Sequence, residues 1–392
     1  MKLFSGQYLY LFSVEFILFG IYYLLLSTLP IHIIQIDGTL ATVGIVMGIA
    51  APIAAMLIPI SGYLIDNWND KKMIAIGLAF NIGSLLFMPL IKLPVFFVLV
   101  DLTRRFGTAT TSTATRSRIL EIVPQTKRGE GLSVFTTSHN LGTALMPPIG
   151  LYILDRYGFT GVTIFCILLI LIGLIIVKLL DEPSKFIKDD RRDLNKTLSI
   201  SKFKQSLRLK TWIPPLTLLM MVLAFFGCLT FIPLISEERS IPNYYSFFTV
   251  YGLTVFVSRL FVGKFSDRYG REIIIIPCIL MCSLAMVVLA FSYTLTTLWV
   301  TAVMFGVGWG CAFPTLLALA SDYSFENAEG QTQSIMSASF SIGTALGGAI
   351  IGLVSETFTF EVSFLVLAAL LMLTLLIFSL DFKSQYLIKT KR

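Results

Sequence analysis

The sequence predicts an all-α integral membrane protein with twelve transmembrane helices in two pseudo-symmetric bundles of six. Three observations lead to this fold class. Hydrophobic residues make up 56% of the chain and charged residues 14%, with a mean hydropathy of +0.83, whereas soluble domains carry about 25% charged residues. Twelve apolar runs are long enough to cross a bilayer. Motifs of the first half return 201 residues later in the second half.

The apolar runs follow one another along the chain. Each is predicted to be a helix, because lipid offers no hydrogen-bond partner to an unpaired strand. They cover residues 7–30, 40–65, 73–91, 95–118, 131–153, 159–180, 212–235, 245–263, 272–292, 297–320, 332–354 and 362–380. The polar segment 181–210 carries nine Lys/Arg and five Asp/Glu. We therefore predict six-helix bundles at 1–180 and 211–392, joined by a cytoplasmic linker at 181–210.

Two pairs of segments carry the repeat. Gly263-Lys-Phe-Ser-Asp267-Arg268-Tyr-Gly270-Arg271 is a charged turn between apolar runs, and a weaker copy begins at Gly62 and keeps Asp66. Leu141-Gly-Thr-Ala-Leu145 recurs as Ile342-Gly-Thr-Ala-Leu346 at the same spacing of 201 residues. The chain is therefore interpreted as a duplicated unit, which in a hydrophobic chain is typical of membrane transporters.

The net charge of +7 is explained by membrane orientation. If both termini and the even-numbered connections are cytoplasmic, that side carries 23 Lys and Arg residues and the other side carries Lys92, Arg156 and Arg239. Because cationic loops stay in the cytoplasm, we expect a multi-pass protein of the plasma membrane with both termini cytoplasmic. The cytoplasmic cations are expected to attract anionic lipids. Because membrane orientation explains the positive charge, we expect no nucleic-acid partner. The amino-terminal run lacks an A-x-A cleavage site and holds Glu15, so we expect it to be retained.

Metal, disulfide and nucleotide chemistry find no support in the sequence. All five cysteines lie in apolar runs without a Cys-x-x-Cys pair, and His32 and His139 are the only histidines. No Gly-x-x-x-x-Gly-Lys-Ser/Thr motif of a nucleotide-binding loop is present. We therefore expect no metal, no cofactor and no enzymatic activity.

The motifs together resemble the major facilitator superfamily. Six plus six helices, a long central linker and a Gly-x-x-x-Asp-Arg-x-Gly-Arg turn after helices two and eight carry the resemblance, although the first turn has Asn67, Asn69 and Asp70 where the family favours Arg, Gly and Arg. Gly142-Thr-Ala-Leu-Met-Pro147-Pro148-Ile-Gly150 in helix five is similar to the Gly/Pro motif of the family's exporters, with Met146 in place of a glycine. The resemblance implies alternating access, and we expect a monomer.

The two charged turns are predicted to latch the halves together on the cytoplasmic side. A carboxylate at a helix end can meet the positive end of another helix and nearby guanidinium groups, which assigns this role to Asp66 and Asp267. Asp267 is expected to matter more, because its turn keeps the full set of charges. The residues assigned to the latch are Gly62, Asp66, Gly263, Asp267, Arg268, Gly270 and Arg271.

Ionisable residues inside the spans are functional candidates, because charge in a membrane is costly. Glu15 lies in helix one, and Asp101, Arg104 and Arg105 lie in helix four, whose polar face continues through Thr108, Thr111, Ser112 and Thr115. At about 1.5 Å per residue, Glu15 and Arg104 lie at similar depths, so we expect Glu15 to contact one arginine. Glu15, and Asp101 after it, are the candidate proton carriers; a structural ion pair is the alternative.

The predicted substrate contacts combine this polar face with aromatic residues. They are Arg104, Arg105, Thr108, Ser112, Tyr22, Tyr23, Asn140, Phe226, Tyr251 and Trp309. Aromatic side chains in membranes also serve as packing residues and interface anchors. Arg259 is expected to snorkel or to join the latch.

The expected function is secondary active transport. We expect a proton-coupled exporter, an antiporter, of a small organic molecule, with protons and the lipid bilayer as its other partners. The paired arginines and the threonines favour a carboxylate-bearing substrate, such as a siderophore-like metallophore or another metabolite. Broad-specificity multidrug efflux and proton-coupled uptake by a symporter remain open as alternatives, because they use the same scaffold.

Overall fold

The computed structural model describes residues 5–67, 69–124, 127–181, 209–323 and 329–390. Within these ranges the chain is almost entirely helical and forms no strand. The described residues form eleven α-helices: α1 (Gly6–Gln35), α2 (Leu40–Asn67), α3 (Asp70–Phe87), α4 (Phe96–Ile122), α5 (Arg128–Lys178), α6 (Leu209–Glu238), α7 (Ser246–Tyr269), α8 (Arg271–Ala290), α9 (Leu295–Asp322), α10 (Glu329–Thr357) and α11 (Phe360–Thr390). A short 3₁₀ helix, Met88–Leu90, follows α3.

Helix α5 is interrupted at Gly158. The φ of 64° and ψ of −175° at this residue lie outside the helical region, and glycine adopts a positive φ without the clash that a Cβ would cause. The predicted fifth and sixth spans meet at this break. Helix α5 therefore consists of two helical segments that meet at Gly158.

Nine helices in the described ranges are long and apolar enough to cross a membrane. Three local features explain the difference from the predicted twelve. Helix α5 is counted once despite its break, and the described apolar part of α2, Leu40–Ala54, is short. Helix α4 carries Asp101, Arg104 and Arg105, which lower its hydropathy. The prediction of an all-α membrane protein is confirmed.

Short polar side chains and one glycine define several helix ends. The Ser5 hydroxyl accepts a hydrogen bond from the Tyr8 N–H at 3.3 Å, and the Asn69 side chain accepts one from the Lys71 N–H at 2.8 Å. Such caps satisfy N–H groups that have no partner within the first helical turn. Gly270, with a φ of 98°, ends α7 and precedes α8, so this part of the charged turn is tight.

Most helices pack against others of the same half of the chain. Helix α1 lies against α5, and α4 lies against α2 and α3. In the second half, α6 lies against α10, and α9 lies against α7 and α8. The predicted linker lies outside the described residues except for 181, 209 and 210, so the proposed division at 181–210 stays a prediction.

In the described residues, the halves are in close contact on the side of the bundle opposite the start of α1, which we call the far side. There α2 crosses α10 through glycines: a Cβ at Gly44 would lie 2.3 Å from the carbonyl oxygen of Gly348, and one at Gly352 would lie 2.4 Å from that of Leu40. The Thr249 hydroxyl of α7 also donates to the Ala144 carbonyl of α5 at 3.0 Å. The two halves are therefore closely packed on the far side.

The Gly/Pro motif of α5 packs against α1. A Cβ at Gly142 would lie 3.0 Å from the backbone nitrogen of Gly20, and one at Gly150 would lie 2.4 Å from the Leu24 side chain. Small residues at a helix crossing allow this approach. The motif thereby brings the middle of α5 next to the middle of α1, where Glu15 lies.

Candidate functional site

Glu15 is the centre of a hydrogen-bonded group that joins three helices. Its side chain is 0% exposed. The Ser112 hydroxyl donates to Oε1 and the Thr115 hydroxyl donates to Oε2, both at 2.8 Å, and His139 Nε2 lies 3.1 Å from Oε1. Ser112 and Thr115 share one face of α4 because they are three residues apart. The carboxyl group of α1 is thus tied to α4 and to α5.

His139 was not among the sequence-based site candidates. Its ring stacks on Phe19 of α1, with centroids 3.5 Å apart and an interplanar angle of 18°. Phe19 follows Glu15 by one helical turn, so the same face of α1 supplies both contacts. Its position as an ionisable residue inside a predicted span is the signal that would have identified it.

Asp101, Arg104 and Arg105 form a second buried group on α4. Asp101 Oδ1 accepts from Arg104 Nε at 2.8 Å and lies 2.6 Å from Arg104 Nη2, while Oδ2 accepts from Arg105 Nε at 2.6 Å. The exposed fractions of Asp101 and Arg104 are 2% and 3%. One carboxylate therefore faces two guanidinium groups, and the group keeps one excess positive charge when Asp101 is ionised.

The expected contact between Glu15 and an arginine of α4 is not made. Asp101 precedes the arginines by three and four residues, so its carboxylate lies on their face of the helix and binds both. Glu15 instead meets α4 at Ser112, eight residues beyond Arg104, which is about 12 Å along the helix. The structure therefore has two separate polar groups, where the sequence predicted one pair.

The two arginines differ in their remaining donors. Arg105 Nη2 donates to the Met47 carbonyl of α2 at 3.1 Å. Arg104 Nη1 is buried and has no hydrogen-bond partner within the described residues. The Tyr22 ring of α1 lies 5.7 Å from the Arg104 guanidinium carbon and 5.6 Å from that of Arg105, a separation suited to cation–π attraction.

Thr108 lies away from this group, against α3. Its hydroxyl donates to the Arg104 carbonyl of its own helix at 3.0 Å and lies 3.2 Å from Asn81 Oδ1. Asn81 in turn donates to the Gly77 carbonyl at 2.9 Å. The geometry at Thr108 is that of a contact between two helices.

The aromatic candidates pack together across the middle of the bundle. Tyr22 meets Tyr23 edge-on at 5.3 Å and Phe226 at 6.4 Å. Trp309 stacks on Phe225 at 4.2 Å with an angle of 4°. Phe226, Tyr251 and Trp309 are buried, and so is Asn140. Sequence reasoning missed Phe225, Phe313 and Phe340, which complete this aromatic set.

Arg259 of α7 brings a positive charge from the second half to this region. Its guanidinium carbon lies 5.9 Å from the centre of the Phe313 ring, and its buried Nε has no hydrogen-bond partner among the residues described. Arg259 therefore lies beside the aromatic set, and the snorkelling or latch role expected from the sequence stays a prediction.

Part of the predicted latch falls outside the described side chains, namely those of Gly62, Asp66 and Asp267. Arg271 at the start of α8 forms an ion pair with Asp322 at the end of α9, with Nε 2.6 Å from Oδ2. Arg268 is exposed and lies 5.4 Å from the ring of its neighbour Tyr269, and Gly263 is exposed as well. The ion pair of Arg271 thus holds two helices of the same half together.

Among the described residues, no group of three or more His, Cys, Asp or Glu side chains is suited to a metal ion. The five cysteines are free thiols. The polar groups described above are a carboxyl group bonded to hydroxyl and imidazole groups at Glu15, and a carboxylate bonded to two guanidinium groups at Asp101.

Comparison with known proteins agrees with this architecture. The family model described as Major Facilitator Superfamily matches residues 11–332 and 246–386. The Staphylopine export protein of Staphylococcus aureus is 21% identical over 360 residues, which are 89% of each chain. The uncharacterized MFS-type transporter YuxJ of Bacillus subtilis is 25% identical over 342 residues, 83% of this chain and 84% of the relative.

Solved structures share the fold. A nucleoside transporter, NupG, superimposes with a TM-score of 0.79 at 16% identity, covering 97% of this chain and 100% of that one. A POT family transporter in complex with a thioalcohol-conjugated peptide gives 0.77 at 14% identity and covers 96% of each chain. At these identities the structural likeness concerns the fold alone. Since the family model matches nearly the whole chain, this protein belongs to the Major Facilitator Superfamily, a family of membrane transporters and not of enzymes.

Proposed function

We propose that this transporter is a proton-coupled exporter, an antiporter that exchanges protons for a small organic molecule bearing carboxylates. The observation that carries the proposal is the fully buried Glu15, whose carboxyl group is bonded from α4 and α5. Bonds to an ionised carboxylate are worth about 1.5–3 kcal/mol each. Protonation weakens them, so the proton on Glu15 shifts the balance between two arrangements of α1, α4 and α5.

The arginine group supports an anionic substrate. Asp101 compensates one of the two guanidinium charges, and Arg104 keeps a buried donor without a partner within the described ranges. A carboxylate bound there would compensate the second charge through charge-assisted hydrogen bonds. The proton at Glu15 and the substrate at Arg104 would then both contact α4, at two depths along that helix. Their coupling free energy would be on the order of 1–3 kcal/mol.

One observation supports the outward direction. A relative that aligns over 89% of the chain is named as an export protein. The close packing of the halves on the far side is the arrangement expected of a site that opens toward the opposite side, a state that exporters and importers share. The distribution of Lys and Arg assigns that opposite side to the cytoplasm. In this proposal the protein lies in the plasma membrane, and both of its termini are cytoplasmic.

A second candidate function, uptake by proton symport, is favoured by the separation of Glu15 from the arginines. Because Glu15 binds Ser112, Thr115 and His139, a proton and a carboxylate do not compete for one guanidinium group. A neutral Glu15 also makes the centre more positive, which favours an anion and a proton bound together. The sign of the coupling is therefore the quantity to measure.

The test is accumulation in proteoliposomes under an imposed pH gradient. The external medium contains the organic-acid fraction of a cell extract, and the vesicle contents are identified by mass spectrometry. An antiporter accumulates its substrate in a lumen that is initially acidic, because protons leave as substrate enters. A symporter accumulates it in an alkaline lumen, and protein-free liposomes correct for passive weak-acid uptake. Ethidium in a parallel sample tests multidrug efflux and is expected to stay outside. Accumulation of ethidium alone, or of nothing, would refute the proposal.

A further inference from the structure

Two guanidinium groups, one in each half, keep a buried donor without a partner. In the part of the chain that the structure describes, these atoms are Arg104 Nη1 and Arg259 Nε. A buried donor that lacks an acceptor destabilises the protein by its lost hydration. A hydrogen bond from either atom to an incoming anionic oxygen would therefore recover this lost free energy.

The charges around these two donor atoms also favour the binding of an anion. Asp101 binds both Arg104 and Arg105, so one positive charge of that group stays uncompensated. Arg105 is engaged by Asp101 and by the Met47 carbonyl, which leaves Arg104 as the donor. Arg259 forms no ion pair with any described carboxylate. Among the described residues, the Asp101 group and Arg259 therefore each keep one positive charge without a carboxylate partner. Glu15 belongs to a separate group, about 12 Å further along α4, and is bonded to hydroxyl groups and His139.

Aromatic rings connect the two charges. The steps from the Arg104 guanidinium to that of Arg259 each measure between 5.6 and 6.4 Å and pass through Tyr22, Phe226, Phe340 and Phe313. We call these four rings the aromatic path. It crosses from the first half to the second between Tyr22 and Phe226. A row of aromatic rings with a cation at each end matches a molecule with an apolar middle and an anion at each end.

We propose that the site binds an elongated organic dianion, a dicarboxylate with one carboxylate on Arg104 and the other on Arg259. The inference rests on the proposed function, since it names the substrate class of the same site. A dianion of matching length joins the two halves, whereas a monoanion compensates only one of them. The second carboxylate binds within the same complex and so adds affinity without a second loss of translational freedom.

The experiment measures binding to the purified full-length protein in detergent. The probes are α,ω-dicarboxylates from succinate to dodecanedioate, each paired with its monomethyl ester as the matched monoanion. Binding is followed by the unfolding temperature and by tryptophan fluorescence. For the best chain length, the wild type is expected to bind the dianion about tenfold more tightly than its monoester, which corresponds to about 1.4 kcal/mol.

Two variants should abolish this preference. Arg104→Gln leaves a neutral Asp101–Arg105 pair, and Arg259→Gln removes an uncompensated charge, so both are expected to fold. In each, the dianion and the monoester should bind equally. Arg156→Gln, at an exposed position near the break in α5, removes the same charge and should keep the preference. Arg259→Lys retains the charge and should preserve most of it.

The inference is wrong if the dianion preference survives in Arg104→Gln or Arg259→Gln, or if no chain length binds. Binding in detergent needs no membrane and no pH gradient. Failure of this test thus leaves proton-coupled export standing, and failure of the flux test leaves the dianion site standing.

Discussion

The two halves of the protein have similar packing and different chemistry. Ser138-His139-Asn140-Leu141-Gly142 of α5 corresponds to Ser339-Phe340-Ser341-Ile342-Gly343 of α10 at the 201-residue spacing. Gly142 lets α5 approach α1, and Gly343 lets α10 approach α6, where a Cβ would lie 2.6 Å from the Leu219 carbonyl oxygen. The glycine that sets the helix distance is thus shared by both copies.

The chemical difference between the halves is seen at position 139 and at its counterpart, position 340. His139 lies 3.1 Å from Glu15, whereas Phe340 meets the Phe226 ring edge-on at 5.6 Å. The first half carries the Glu15 group and the arginine group, and the second half supplies aromatic rings and Arg259. The comparison teaches that the two copies share their helix packing and differ in the polar and aromatic side chains that they place in the middle of the bundle.

The largest expected effect tests how far the first half depends on its charges. Asp101→Asn leaves two buried guanidinium groups without their carboxylate and should destabilise the protein by about 3–5 kcal/mol. The control on the same helix is Glu121→Gln, since Glu121 is 53% exposed in its ion pair with Arg118 and should contribute below about 1 kcal/mol. Thermal unfolding in detergent measures both variants. Equal losses would mean that the buried group is not specifically important for stability.

A second pair of variants tests the shared packing. Gly142→Ala and Gly343→Ala each place a Cβ against the backbone of a neighbouring helix and should cost about 1–3 kcal/mol. The loss should be larger at Gly343, where the nearest atom lies 2.6 Å from the added Cβ, than at Gly142, where it lies 3.0 Å away. If one alanine is harmless in unfolding measurements, the equivalence of the two crossings fails.

Exchanging the residues that distinguish the copies should sharpen the comparison. His139→Phe keeps a ring beside Phe19 but removes a polar contact of Glu15, and should lower pH-driven transport about tenfold, corresponding to one charge-assisted bond of about 1.4 kcal/mol. Phe340→His should change the pH profile little, because the Phe340 ring packs against the rings of Phe226 and Phe313 and not against Glu15. An unchanged pH profile for His139→Phe would place His139 among the packing residues.

The smallest effect concerns the two charged turns. Asp267→Asn should slow transport several-fold more than Asp66→Asn, because the second turn keeps Arg268 and Arg271 where the first has Asn67 and Asp70. Labelling of single cysteines placed at the near side, where α1 begins, reports the conformational equilibrium. Equal shifts in the two variants would remove the predicted asymmetry.

The helices were predictable because each apolar run is long and because the runs of the first half recur in the second. The fifth and sixth spans meet at Gly158, the residue with non-helical backbone angles inside α5. Glu15 and the α4 cluster were identified because charge inside a span is rare. The partners of these charged residues were not predictable, because depth along a helix does not tell which way a side chain points around it. The spacing of Asp101 one turn before Arg104 and Arg105 would have indicated the local ion pairs.

Other features depend on tertiary packing. His139 was considered only as a metal ligand, although its place inside a span made it a candidate for coupling. The free donor of Arg104 depends on which atoms Asp101 and Met47 occupy, and no pattern in the sequence reports this. The aromatic path likewise joins rings of four helices, including those of Phe313 and Phe340, and its crossing from Tyr22 to Phe226 depends on contact between the two halves.

The most direct test of the account is pH-driven accumulation by the Glu15→Gln variant. Glutamine has the shape of the protonated acid but releases no proton. In proteoliposomes with an acidic lumen, the wild type is predicted to concentrate a carboxylate from the organic-acid fraction. Glu15→Gln is predicted to lose this accumulation while it still exchanges labelled for unlabelled substrate across the membrane. If Glu15→Gln still concentrates the carboxylate in response to the pH gradient, Glu15 is not the proton carrier and the account is contradicted.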